Sequence, residues 1–128
     1  MTPALLGDDP AKNAPANARP SIVGTWRVVR IERSGKEVTL ARHAGTWTFD
    51  QTHLTAAGGG DRLRMPYTLA MAHRPWRLTV PRAFVAICRL DGDVLFIRTA
   101  AFDYPTTFHT AKGPDRNAAL YVMRRFRQ

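Results

Sequence analysis

The chain has 128 residues, 45% of them hydrophobic, and 19 lysines and arginines against 10 acidic residues, for a net charge of +9. A single domain of this size buries about two-thirds of the surface its unfolded form exposes, so it holds a core without cross-links. The lone cysteine, Cys88, excludes an internal disulfide framework, and no apolar run approaches the roughly 18 residues of a membrane-spanning helix.

Residues 1–20 contain four prolines, five alanines and two asparagines, with little to bury, and are expected to form a flexible leader ahead of a domain at 21–128. The leader has neither the basic stretch nor the apolar core of a signal peptide, which favours the cytoplasm. Its charges (Asp8, Asp9, Lys12 and Arg19) cancel, so the positive excess belongs to the domain, where arginine supplies most of it. That field attracts phosphates or acidic surfaces, although arginines scattered along a chain also serve merely as solvated charge.

The run at 21–33, SIVGTWRVVRIER, is rich in β-branched residues and tryptophan and reads as the first strand, with Ser34-Gly35-Lys36 turning the chain. Residues 38–43 fit a short helical turn stopped by Gly45. Residues 46–50 alternate as a strand does, Asp50-Gln51 makes a tight turn into 53–55, and the glycines at 58–60 form a loop. Residues 62–69 place Leu63, Met65, Tyr67 and Leu69 on one face, and Pro66 among them implies an edge, a bulge or a late strand start. A strand at 76–80 ends at Pro81. Strands at 83–90 and 94–99 flank Asp91-Gly92-Asp93, the strongest hairpin signal in the chain. A short strand at 106–110, a turn at 112–115 and a closing strand at 118–127 complete the pattern.

Eight or nine short strands at spacings of about ten residues fit a sandwich or an up-and-down barrel. Hairpin-sized connections pair neighbours in order, and closure removes exposed edges. An all-β fold, a small antiparallel barrel of about eight strands, is therefore expected.

From residue 22 onward the chain resembles a lipocalin-like domain family of unknown function that is abundant in planctomycetes. The resemblance is carried by Gly24-Thr25-Trp26-Arg27-Val28-Val29, Thr48-Phe49-Asp50, Tyr67-Thr68-Leu69, Pro75-Trp76-Arg77-Leu78, Leu90-Asp91-Gly92-Asp93-Val94-Leu95, Pro105-Thr106-Thr107-Phe108 and the apolar stretch ending at Arg125. Ala70, Cys88 and Tyr104 depart from the family pattern. More distantly, G-x-W in the first strand with an arginine in the last resembles the lipocalin and fatty-acid-binding superfamily. That resemblance implies that Gly24, Trp26 and Arg125, with Arg124 as the competing choice, close one end of the barrel by stacking guanidinium on indole.

Candidate chemistry is sparse. His43, His53, His73 and His109 lie on separate elements without paired spacing, so no metal is expected. Two carboxylates in the Asp91-Gly92-Asp93 turn cannot supply the six to eight oxygens calcium takes. Cys88, His109 and Asp103 have the residue types of a catalytic trio, but Cys88 lies mid-strand among apolar residues, where an inert thiol is expected. Gly58-Gly59-Gly60 lacks the lysine and helix of a phosphate loop. Neither an enzyme nor a cofactor is expected.

Trp47, Phe49, Tyr67, Trp76, Phe84, Phe96 and Phe108 either line a cavity for a small apolar or amphipathic ligand, an anion if arginines are buried among them, or simply fill the core. Alternatively Arg62, Arg64, Arg74, Arg77, Arg82, Arg124, Arg125 and Arg127, with Phe126, offer a basic surface to nucleic acid or to an acidic protein partner. A monomer is expected.

Overall fold

A computed structural model describes residues 21–39, 45–58, 60–110 and 118–126. The expected leader, residues 40–43 of the expected helical turn, the expected turn at 112–115, His43 and Arg127 lie outside the described residues. Ten strands and no helix are found among the described residues: β1 (Gly24–Arg33), β2 (Lys36–Val38), β3 (Thr46–Phe49), β4 (His53–Gly58), β5 (Asp61–Pro66), β6 (Thr68–Ala70), β7 (Trp76–Val80), β8 (Phe84–Asp91), β9 (Val94–Ala100) and β10 (Ala119–Arg125).

All pairings are antiparallel, in the order β5-β4-β3-β1-β10-β9-β8-β7-β6, with β2 added to β1. The two ends of this sheet are one stretch of chain. Tyr67 alone separates β5, paired to β4, from β6, paired to β7. The sheet is thus nearly closed into an up-and-down barrel. Pro66 ends β5 because it has no N–H to extend a ladder, and the strand changes partner there.

Turn chemistry sets the registers. Ser34 and Gly35 both have positive φ (52° and 75°), as a two-residue type I′ hairpin between Arg33 and Lys36 requires. Gly92, at φ 60°, takes the first of the two turn positions between Asp91 and Val94. Residue 38 belongs to this first hairpin, not to a helical turn: Val38 pairs with Ile31.

The strands bury one face, and Trp26, Val28, Phe49, Leu54, Leu78, Val80, Ala86, Cys88, Leu95, Ile97 and Met123 meet in one core. Strict alternation from Trp26 and Val28 would turn Arg30 inward. A bulge between Val28 and Arg30 resets the phase, so Arg30 pairs outward with Val122 and Ile31 packs on the core.

Residues 106–110 do not form the expected strand. Both edges of β9 are already taken by β8 and β10, so the segment has no ladder to join. Residues 101–110 instead cross the outside of the barrel as a strap. Tyr104 bonds the Thr79 hydroxyl and lies under the Arg77 guanidinium, at 4.8 Å. Phe108 lies near Arg89. Arg98 Nε donates to the His109 carbonyl at 3.0 Å, and the Thr110 hydroxyl donates to Glu32 Oε1 at 2.7 Å. Ile87, on the outer face between Arg77 and Arg98 in register, is only 2% exposed for this reason.

Candidate functional site

At one end of the barrel Trp26 is completely buried, and its indole N–H donates to the Ile22 carbonyl at 2.8 Å. The Arg125 guanidinium lies 4.3 Å from the centre of that ring. Its remaining donors go to the carbonyls of Val23 (3.1 Å) and Ser21 (2.9 Å), and Nε faces Asp93 at 3.8 Å. The charge is therefore half-buried but fully engaged. Arg124, one residue earlier on the strand, points the other way and is exposed.

The aromatic residues separate into two sets. Trp47 and Phe49 point inward, and Trp47 reaches across the interior to Phe84 (6.1 Å between ring centroids) and Tyr121 (5.0 Å). Phe49 meets Tyr67 edge-on at 5.2 Å, and the Tyr67 hydroxyl donates to the Asp50 carbonyl. These rings touch wall to wall and so fill the level of the barrel at which they sit. Phe96 and Phe108 are corrected: neither lines the interior. Leu95 and Ile97 take the inward positions of β9, so Phe96 faces out, and Phe108 lies on the strap.

Two inward-facing aromatics border open space: Phe84, beside a more polar hollow of about 400 Å³ under Ala101 and Phe102, and Trp76. Strand β7 begins at Trp76, opposite Cys88, immediately after Pro75. Strand β8 runs on to Asp91, so residues 89–91 pair with β9 on one side and have no β7 partner on the other. The missing ladder leaves a notch of about 440 Å³ lined by Arg74, Pro75, Trp76, Cys88, Arg89, Leu90 and Phe108. Trp76, Leu90 and Phe108 make it apolar. Arg89 stands beside it, its guanidinium 4.6 Å from the Phe96 ring centre and 5.6 Å from that of Phe108. Two rings hold its plane while its N–H groups stay at an exposed position. Arg74 donates to the Met71 carbonyl at 3.2 Å. Neither arginine has a carboxylate partner among the described residues.

Neither Arg89 nor Leu90 is among the candidate site residues that the sequence offers, although Leu90 opens one of the motifs that carry the resemblance. The outward phase of Val85, Ile87 and Arg89 is readable there, but the early end of the β7 ladder that exposes Arg89 is not. Cys88 lies on the inner face, and burial pushes its thiol far above its ordinary range. Asp103 and His109 belong to the strap outside the barrel, so the trio does not assemble. Among the described residues no three of His, Cys, Asp and Glu lie close enough together to hold a metal ion. No protein-family model, no curated protein and no solved structure matches this chain.

Proposed function

We propose that this chain is a non-catalytic, lipocalin-like binding domain whose ligand is a small amphipathic anion, held in the notch rather than within the barrel. The observation that carries this reading is Arg89, stacked on Phe96 and Phe108 with no carboxylate partner among the described residues, beside a hollow lined by Trp76, Leu90 and Phe108. An apolar pocket of some hundreds of Å³ with a few fixed polar groups is the usual form of a small-molecule site. Trp76 and Phe108 supply faces for a planar or alkyl body, and Arg89 a planar fork for a carboxylate or sulfonate. The contacts of Trp47 with both Phe84 and Tyr121 argue against the barrel interior at that level as the seat.

Anilinonaphthalene sulfonate, an aromatic body with one sulfonate, is a suitable probe. Saturable one-to-one binding with modest salt dependence is expected, with tryptophan quenching that disappears in Trp76→Phe. Arg89→Ala and Phe108→Ala should each weaken binding about tenfold or more, in line with a lost charge-assisted contact or a lost ring. Unchanged affinity in both variants, each still showing a cooperative thermal transition, would overturn the proposal.

A further inference from the structure

A second surface, on the outer wall beside the closed end, is built by register alone. Across β10, β1, β3, β4 and β5 one outward row reads Arg124, Arg27, Thr46, Ala57 and Arg62. The adjacent row on β1, β3, β4 and β5 reads Thr25, Thr48, Thr55 and Arg64. Trp26 and Leu54, the sequence neighbours of these positions on β1 and β4, are fully buried, which turns both rows to the outside.

Two features of this wall suit an anion. Arg27 and Arg124 stand directly opposite each other, both exposed, and neither has a carboxylate partner among the described residues. Like charges placed this way destabilise a sheet unless an anion sits between them. Arg64 is paired with Asp50 at 3.8 Å, but no acidic residue occupies either row, and between the arginines the side chains are threonine and alanine, so the wall carries only short side chains there and is rich in hydroxyl donors. Thr25 and Thr48 already share a hydrogen bond at 3.1 Å.

We infer that this wall binds the phosphodiester backbone of single-stranded nucleic acid, running across the strands from Arg124 to Arg62. At about 4.8 Å per strand, Arg27 and Arg62 are roughly 14 Å apart along the sheet, a span over which a polyanion presents several charges. Threonine hydroxyls and guanidiniums are the donors that phosphate oxygens accept from. Phe126, 47% exposed, donates its backbone N–H to the Thr25 carbonyl and so stands at the edge of the second row, where a base can stack. A flexible single strand can follow the convex wall of a barrel. The exposed Phe126 ring, a stacking platform for a base, favours it over an acidic peptide. The lack of an apolar centre to the patch disfavours a lipid surface.

The test uses the full chain and a fluorescent oligothymidine of about 15 nucleotides, enough to cross the patch, titrated from low salt to about 150 mM. Each neutralised phosphate on a single strand adds about 0.7 to the log–log salt slope, so Arg27→Gln with Arg124→Gln should flatten the slope by about 1.4 and cost at least tenfold at low salt. Phe126→Ala should lower affinity and leave the slope unchanged. Lys36→Gln with Arg82→Gln removes the same charge from exposed positions elsewhere and should change little. Arg62→Gln alone provides the same readout should the double variant fail to fold. Equal losses in the patch and control variants would reduce the effect to net charge and overturn the inference. So would full competition near 150 mM salt by polyglutamate or by phosphatidylserine vesicles. Anilinonaphthalene sulfonate binding in the notch should be unaffected by the patch variants, which keeps the two proposals separable.

Discussion

A β-carbon added to Gly24 would lie 2.9 Å from Nη1 of Arg125, inside the space the guanidinium occupies on Trp26. Gly24 also has φ 134°, in a region side chains rarely adopt. The glycine, the tryptophan two residues on and the arginine nearly the whole domain away therefore form one device. The absent side chain lets the arginine approach, and the arginine covers the indole and satisfies the carbonyls of Ser21 and Val23.

Each part of that device has a distinct expected cost. Trp26→Ala deletes a fully buried aromatic and should lose about 3–5 kcal/mol. Arg125→Ala removes a stacking contact and two hydrogen bonds from a partly exposed group, about 1–3 kcal/mol. Gly24→Ala adds backbone strain of about 1–3 kcal/mol and displaces the guanidinium as well. Because the collision is with Arg125 itself, Gly24→Ala and Arg125→Ala should be sub-additive in a double-mutant cycle of denaturation midpoints. Simple additivity would show that the two residues act independently.

The closed end was legible only through a resemblance: G-T-W in the first strand and an arginine pair in the last are similar to the lipocalin and fatty-acid-binding pattern, while one of 16 arginines would not by itself have been matched to Trp26. The hairpin at 91–94 was legible because Gly92 and its polar neighbours interrupt two apolar runs. The strap was not. Thr106, Thr107, Phe108, His109 and Thr110 have strand-like composition, and what decides their conformation is that β9 has no free edge and that Glu32, Arg89 and Arg98 offer partners far away in sequence. The outward setting of Phe96 was hidden for a related reason. Hydrophobicity marked it as interior, while alternation with Leu95 and Ile97 placed it outside.

The strap should depend on pH through Glu32. The Thr110 hydroxyl, the Thr110 backbone N–H and the nearby Arg30 charge hold its carboxyl below the ordinary glutamate value, against a smaller opposing effect of burial. A depressed folded pKa means that the stabilisation is fully present above the unfolded value, about 4.3, and is lost as pH falls through the folded one. Asp50 is depressed in the same direction by the N–H groups of Thr52 and His53, so both carboxylates favour acid unfolding. The thermal midpoint should be flat from about pH 6 to 8 and fall on acidification below about pH 4. Glu32→Gln should lower the midpoint at neutral pH and reduce the acid dependence. An acid limb of unchanged steepness in Glu32→Gln would assign the whole effect elsewhere.

Removing the docking contacts should loosen the strap without melting the barrel. Thr110→Val takes away the donor to Glu32 and the acceptor for the Gly35 N–H, which lies 2.9 Å from the Thr110 hydroxyl. A loss of about 1–2 kcal/mol is expected for hydrogen bonds of this kind, one of them charge-assisted. In hydrogen exchange, faster exchange should be confined to residues 101–110 and the β1–β2 hairpin, with β8 and β9 still protected by their own ladders. Uniform acceleration across the sheet would show that the strap is part of the cooperative core.

Cys88 offers the most direct check on the notch. Its side chain is 1% exposed, packs with the barrel core and yet belongs to the residue at which the β7 ladder begins. Burial alone raises its thiol far above the ordinary range, so almost no thiolate exists at pH 8. The native protein should therefore resist iodoacetamide and disulfide reagents, and label fully once denatured. Phe108→Ala removes a ring from the lining of the notch on the strap side and should speed native labelling several-fold by admitting water to the edge of β8. Anilinonaphthalene sulfonate, if seated against Trp76 and Leu90, should slow it again. Rapid labelling of the native protein would show that this edge is open, and an identical rate in Phe108→Ala would show that the strap does not guard it.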